Sequence, residues 1–487
     1  MSELARFFKH SSIYAVGNII NRIGAFILLP IYTTYLTVGE YGTLELFYVV
    51  MSVVSGILAV GLAHATLRFY FDHDSQKERN LTITTNYIGS LAITVPAVAF
   101  LALFSDQITG LVFEDKALEV GIYLILTTIV FELSSQICLA YVRAIEYSVF
   151  FVLISILKLI VQLSVNSYLV IVAEAGITGV LFGNLCTVFL GWLILSYFTL
   201  SRCGFGFEFK RFIPVLHYCF PFLLSTFMGI LSSQADKVIL NRLVSIEALG
   251  IYALALKFSM ILEQLIGEPF NRSYGAYRYT IMKQLNAAEI QARIVKYLAI
   301  VAVLFALGIA FFAQDLVHVM SDSSFWPATQ LIPIIMIASV LKLLSYPAQT
   351  GVLYAKKTRF LFYFTSIGAA ISIVGNLLLI SYIGVYGACM TLIVTEAAIL
   401  YTTHRISQRY FLVTYEYSKL ILVFLLAVLA YVPVLFIEFE SIYTSISTKL
   451  LLVLFFCIAV YKLSILSEQE KRQVYDFFAA RLRKQSA

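Results

Sequence analysis

Long apolar runs alternate with short polar breaks along the whole chain. A helix needs about 20 apolar residues to cross a hydrocarbon core of roughly 30 Å. Runs of that length recur near 11–36, 43–67, 81–104, 118–140, 147–172, 178–200, 215–242, 248–271, 292–313, 329–350, 360–382, 385–404, 417–437 and 448–466. The pattern predicts an all-α polytopic membrane protein with about 14 transmembrane helices. The longest interior break, about 272–291, is polar and is expected to contain an interfacial helix.

Composition sharpens this picture. The 487 residues are 60% hydrophobic and 13% charged, against about 45–50% apolar and 25% charged in a soluble domain. Little chain remains for any extramembrane domain. The six cysteines, Cys138, Cys186, Cys203, Cys219, Cys389 and Cys457, are scattered, with neither metal-ligand spacing nor a disulfide framework. The opening MSELARFFKHSS is basic and amphipathic without an A-x-A cleavage site, and reads as a retained cytoplasmic end.

The basic residues set the expected orientation. An even number of spans puts both termini on one side. Of the 34 lysines and arginines, Lys116 and Lys449 fall on the opposite side, and Arg22, Lys158, Lys237, Arg242, Lys257 and Lys342 fall within spans. All the others share the side of the termini, which the positive-inside rule makes cytoplasmic.

An internal repeat is also present. Glu40-Tyr41-Gly42-Thr43 opens the second span and Ala248-Leu249-Gly250-Ile251 the eighth; Gly176-Ile177-Thr178-Gly179 opens the sixth and Gly384-Val385-Tyr386-Gly387 the twelfth. Gly42 to Gly250 and Gly176 to Gly384 are both 208 residues. Glycine at such a turn permits a positive-φ reversal. The turn Tyr141-Val142-Arg143-Ala144 resembles Tyr354-Ala355-Lys356-Lys357. The expected organisation is two pseudo-symmetric six-helix lobes, 1–204 and 205–410, then two additional helices and a cytoplasmic tail, 411–487. Lobes of six helices share an orientation, about an axis near the membrane normal.

Candidate chemistry lies in the charges inside the spans, each costing roughly 2.5–3.5 kcal/mol at a helix centre unless it faces a partner or a cavity. Asn18, Asn21 and Arg22 form one polar face at i, i+3, i+4 spacing. Lys158 has Gln162 one turn on, and Lys257 lies six residues before Glu263. With Lys237 and Lys342, the basic set exceeds the acids Glu132, Asp236, Glu263 and Glu396. A net-cationic cavity suits an anionic substrate, a phosphate above all. Other readings stay open. Lys237, Arg242 and Lys342 can snorkel to an interface, Asp236 can pair with Lys237, and Glu132 and Glu396 suit structural roles. Asp236, Glu263 and Glu396 are candidates for a coupling ion or for structural ion pairs. Pro30, eight residues after Arg22, is either a hinge or a static kink.

The chain has no P-loop, no H-E-x-x-H and no nucleophile elbow. No enzyme activity, cofactor, metal or nucleic-acid partner is expected. An intramembrane polymerase or ligase, the reading from another class, needs a large extramembrane loop.

The N-terminal SSIYAVGNIINRIGAFILLPIYTTYLTVGEYG, the series Pro221, Asp236-Lys237, Leu249-Gly250-Ile251-Tyr252 and Lys257, and the AGITG at 175–179 with its YIGVYG counterpart carry a resemblance. Over essentially its whole length the chain is similar to the Wzx-type lipid-linked oligosaccharide flippases of the multidrug/oligosaccharidyl-lipid/polysaccharide (MOP) exporter superfamily. The resemblance implies a MATE-like pair of lobes around a central cationic cavity. It implies movement of an undecaprenyl-diphosphate-linked oligosaccharide from the cytoplasmic to the periplasmic leaflet of a bacterial inner membrane, for O-antigen, capsule or exopolysaccharide assembly. Arg22 then matches a first-span arginine that is a candidate for the diphosphate, and the last two spans border a lipid-tail groove. The membrane potential, H+ or Na+ would reset the carrier. Other polysaccharide-assembly membrane proteins are candidate partners. Within the superfamily the alternative is a MATE-type drug/cation antiporter, which favours an acidic or aromatic cavity.

Overall fold

The computed structural model describes residues 17, 24, 26–59, 61–113, 115–282, 284–437, 442–463, 465, 468 and 470. Among them there is helix and no strand, as hydrocarbon requires of a chain that must satisfy its backbone polar groups internally. The helices are α1 (Phe26–Tyr35), α2 (Val38–Leu58), α3 (Leu62–Phe71), α4 (Gln76–Ala102), α5 (Ser105–Val112), α6 (Glu119–Ala144), α7 (Ser148–Ser167), α8 (Gly176–Cys203) and α9 (Phe209–Leu243). There follow α10 (Ile246–Leu262), α11 (Glu268–Ile281), α12 (Ala287–Met320), α13 (Ala328–Ala348), α14 (Thr350–Tyr354), α15 (Arg359–Ile383), α16 (Val385–Ser407), α17 (Tyr417–Tyr431) and α18 (Ile442–Lys462).

Among the described residues, 12 helices are long and apolar enough to cross a membrane. Two of the expected spans are not in that set. Of 11–36 the described part is the short apolar α1. The other, 215–242, is the 35-residue α9, whose apolar run is broken by Ser232, Ser233, Gln234, Asp236, Lys237 and Arg242. Large apolar side chains such as Leu103, Tyr197 and Phe220 stand exposed, a surface suited to lipid.

Local sequence explains the starts and breaks. Thr37 and Glu40 form a capping box at the head of α2: Glu40 N–H donates to Thr37 Oγ1, and Thr37 N–H donates back to Glu40 Oε2 at 2.8 Å. Gly61, at φ 73°, breaks the second span between α2 and α3. Among the described residues of the polar stretch after the eighth span there is no helix separate from the spans it joins. Instead α10 runs through a π-helical turn, Glu263–Gly267, directly into α11. Pro269, in the first turn of α11, explains the wider turn, because a proline has no N–H to continue an i→i−4 ladder.

The glycine repeat divides into two kinds. Gly176 and Gly384 have φ of 54° and 57°, the reversal expected of them. Gly42 and Gly250 lie inside helices and serve close approach instead. A Cβ on Gly42 would fall 2.1 Å from the Ile246 carbonyl oxygen, and one on Gly250 would fall 2.2 Å from that of Val38. Val38 and Ile246 are themselves 208 residues apart, so the contact is reciprocal under the repeat. The inner turns need a corrected register. Tyr147 N–H donates to Val142 O, and Lys357 N–H to Val352 O, both at 3.0 Å. Glu146 and Lys356 each stand at φ 55°. This is one helix-ending motif used twice, and it aligns the halves there at an offset of 210 rather than by matching Tyr141 to Tyr354.

The chain forms two compact units. The first comprises Met1–Ala253, Met320–Phe325 and Ala369–Ala388; the second comprises Leu254–Val319, Trp326–Gly368 and Cys389–Ala487. In the first, α6 packs on α4 and α8, over a core that includes Leu62, Tyr87, Ile137, Phe151, Leu195 and Phe212. In the second, buried Ala299, Ala302 and Ala306 give α12 a small-residue face. Charged pairs tie the last helices to α12. Lys449, in the second turn of α18, is 1% exposed and donates to Asp315. Lys296 lies 3.2 Å from Glu416 and 3.0 Å from Glu470. Lys419, with help from Lys296, holds the Glu416 carboxyl below the usual carboxylate range.

Candidate functional site

Besides the pairs that α12 makes, three groups of charged side chains are held within the described helices, two in the first unit and one in the second. The first joins α2, α9 and α10. Lys237 Nζ donates to Glu45 Oε2 at 3.0 Å, with both side chains almost wholly buried. Asp236 does not pair with that ammonium. Its Oδ1 accepts the Lys237 backbone N–H at 2.9 Å and its Oδ2 accepts the Tyr252 hydroxyl at 2.6 Å. Snorkelling is therefore not how Lys237 is accommodated. Sequence reasoning missed Glu45, although a carboxylate inside the second apolar run is a mark it could have used. Tyr252 carries no such mark.

The second group lies on α6, α7 and α8. Lys158 is half-buried, and Glu132 is its electrostatic partner. Gly191 gives its stem room, since a Cβ there would sit 3.0 Å from Lys158 Cδ. One turn on, Gln162 Nε2 donates to Asn184 Oδ1 at 3.4 Å. Asn184 Nδ2 donates to the Tyr48 hydroxyl at 2.9 Å, and Asn166 Nδ2 donates to the Tyr32 hydroxyl at 2.6 Å. This amide and tyrosine network is invisible in sequence, where its members look like ordinary helix polar residues. The first span touches the same helix. A Cβ on Gly17 would meet the Phe151 ring, and one on Gly24 would come 2.7 Å from Leu159 and 3.4 Å from Gln162. Asn18, Asn21 and Arg22 lie outside the described residues.

The third group lies in the second unit. Glu263 begins the π-helical turn and accepts the Tyr346 hydroxyl on Oε1. Lys342 Nζ is 3.7 Å from Glu263 Oε2. Glu396 lies in electrostatic reach of both. Gly267 accommodates the carboxylate, because a Cβ there would sit 2.8 Å from Glu263 Oε1. At the offset of 210 set by the inner turns, Lys342 is the counterpart of Glu132. The two halves thus carry opposite charges at equivalent positions. Lys257, on α10, is half-buried.

The arrangement has two chemical consequences. Lys158, Lys237 and Lys342 each have a carboxylate neighbour, so an arriving phosphate must compete for them. In the first and third groups the carboxylates outnumber the lysine. Excess negative charge is costly in hydrocarbon unless a proton or a cation neutralises it. Among the described residues no three His, Cys, Asp or Glu side chains gather as a metal site.

Comparisons with known proteins agree with this architecture. Residues 7–273 match the family described as polysaccharide biosynthesis protein. Protein 1 of the Lsg locus of Haemophilus influenzae is 23% identical over 286 residues, 57% of this chain and 67% of that protein. Among solved structures, the lipid II flippase MurJ in an inward closed conformation aligns with a TM-score of 0.75 at 14% identity, covering 93% of this chain and 99% of that one. An inward-facing multidrug resistance MATE transporter of the MOP superfamily aligns at 0.65 and 13% identity, covering 81% and 94%. At such identities the likeness is one of fold.

Proposed function

The chain belongs to the polysaccharide biosynthesis protein family, and from that premise we propose that it is a flippase for a lipid-linked oligosaccharide. It takes an undecaprenyl-diphosphate-linked unit from the cytoplasmic to the outer leaflet of a bacterial cytoplasmic membrane by alternating access, for O-antigen, capsule or exopolysaccharide assembly. The observation that carries this reading is the set of charged groups held inside spanning helices, Lys158 with Glu132, Lys237 with Glu45 and Lys342 with Glu263.

A diphosphate bearing a glycan is barred from hydrocarbon because its polar groups find no partners there. Arg22, with Asn18 and Asn21, and Lys257 receive the diphosphate, and Lys158, Lys237 and Lys342 exchange their carboxylates for phosphate oxygens in passing. Amides such as Gln162 and Asn184 meet the sugar, while the tail stays in the bilayer beside the two helices of 411–487. Each lysine that turns to phosphate leaves a carboxylate unpaired. A proton or sodium ion taken up at Asp236, Glu263 or Glu396 rebalances the charge, and moving it through the membrane field contributes about 2.3 kcal/mol per 100 mV. Lobes 1–204 and 205–410 alternate between the two open states.

A second reading, drug/cation antiport of the MATE type, is favoured by the two groups in which carboxylates outnumber the lysine. One experiment separates the two. Arg22→Ala, Lys158→Ala and Lys257→Ala are scored for surface glycan in a flippase-deficient host, with membrane insertion checked. Wild type restores the glycan. Each variant lowers it by roughly tenfold or more, the loss of one charge-assisted contact of about 1.5–3 kcal/mol. Full restoration by all three would overturn the phosphate reading.

A further inference from the structure

Arg278 is a buried cation with no counter-charge among the described residues. It lies on α11 at 8% exposure, and its Nε and Nη1 have no hydrogen-bond partner there. Its company is aromatic: the guanidinium carbon sits 5.2 Å from the Tyr274 ring centroid and 6.0 Å from that of Tyr279. Tyr274 is held in place, because its hydroxyl is engaged by Gln291 and Thr350. Glu268, on the same helix, is paired with Arg272 at 3.2 Å. A guanidinium stays charged in any protein setting, so Arg278 cannot shed its burden as a lysine can.

A second observation concerns the space beside it. A Cβ on Gly275, one turn earlier, would have Arg278 Nη2 as its neighbour, at 3.7 Å. Among the described residues, glycine therefore leaves that side of the guanidinium open: an alanine methyl would only touch it, and a longer side chain would lie across it.

Position selects the anion. The helix begun at Ile246 continues without a break through Arg278. At ~1.5 Å per residue that is about 48 Å of helix, slightly more than the roughly 40–45 Å of hydrocarbon core and headgroup layers together, which puts Arg278 at the membrane surface within reach of the headgroups. The anion concentrated in that layer is phosphate, which a guanidinium grips with paired hydrogen bonds. We propose that Arg278, with the opening left by Gly275, is a phosphate-binding site at the end of α11, separate from the three charged groups within the spans. The site stands whether or not the substrate is a glycan.

The test is thermal unfolding of the purified full-length protein in detergent, with undecaprenyl phosphate, undecaprenol or inorganic pyrophosphate as probe. Wild type is compared with Arg278→Met and with Gly275→Leu, which keeps the arginine and fills the opening. Undecaprenyl phosphate raises the wild-type midpoint by more than that of either variant, whose remaining shift reports binding elsewhere, while undecaprenol moves none of the three. A pyrophosphate shift as well means that the site takes soluble phosphate; its lack means that the phosphate must arrive on a lipid. Without a probe, Arg278→Met unfolds no lower than wild type, since it removes an uncompensated charge. If Arg278→Met fails to fold, Gly275→Leu decides alone. Equal shifts in wild type and variants, or no shift with any phosphate, would sink the proposal.

Discussion

Lys237 and Glu45 are both buried almost completely, so neither charge has water to fall back on. Removing one partner strands the other, at about 3–5 kcal/mol, whereas replacing both with apolar residues of similar volume is close to neutral. Glu45→Leu is therefore expected to lower the unfolding midpoint in detergent sharply, and Glu45→Leu/Lys237→Met to recover most of the loss. A double variant as unstable as the single would show that the pair is not what matters. At this scale the sequence is half legible. A carboxylate or lysine within an apolar run announces itself, as Lys158, Asp236 and Glu263 do. Which partner it takes does not, because Glu45 and Lys237 are 192 residues apart and helix packing alone brings them together. Arg278 is legible only as one basic residue among several in a polar stretch. Its isolation depends on what the fold fails to place beside it.

Helices in this chain meet through glycine, and the two kinds of glycine respond differently to a methyl group. Gly42→Ala drives a Cβ to within 2.1 Å of a carbonyl oxygen. The helices must part, at about 1–3 kcal/mol for an overpacked contact, more than the ~1 kcal/mol that alanine gains in helix propensity. At Gly308, in α12, an added Cβ would have no described atom within 4 Å, so Gly308→Ala keeps the propensity gain. Unfolding midpoints are expected to fall for Gly42→Ala and to rise slightly for Gly308→Ala. The periodic spacing of Gly42 and Gly250 is plain in sequence, but not its purpose, since a turn and a close approach ask for the same residue. The run of α10 into α11 is hidden there because polarity after a span reads as a break, although a helix need not end where the hydrocarbon does.

The whole molecule is the most legible scale. Hydrocarbon thickness sets one length for every span, and twelve helices of the described chain meet it. The weaker marks are α1, whose described part is short, and α9, whose polar residues dilute its apolar run. The asymmetry of basic residues gives an orientation that labelling can check. In a variant without native cysteines, Ser324→Cys, between α12 and α13, is expected to react with an impermeant maleimide on intact cells. Thr358→Cys, between α14 and α15, is expected to react only after permeabilisation. The reverse pattern would invert the topology and place Lys356, Lys357 and Arg359 outside.

The reciprocal meeting of Gly42 with Ile246 and of Gly250 with Val38 also bears on ancestry. A surface that meets its own copy about a twofold is the means by which identical subunits pair. A half-length chain with this surface would already carry its dimer interface, and joining two copies in one chain would add only a linker. Fusion would release each half from having to complement itself. Gly39 now faces Glu247, its counterpart 208 residues on, with the Cβ position 3.3 Å from Glu247 Oε1. A dimer of identical chains cannot set glycine against glutamate at that place on its axis; a fused one can, with each half free to differ.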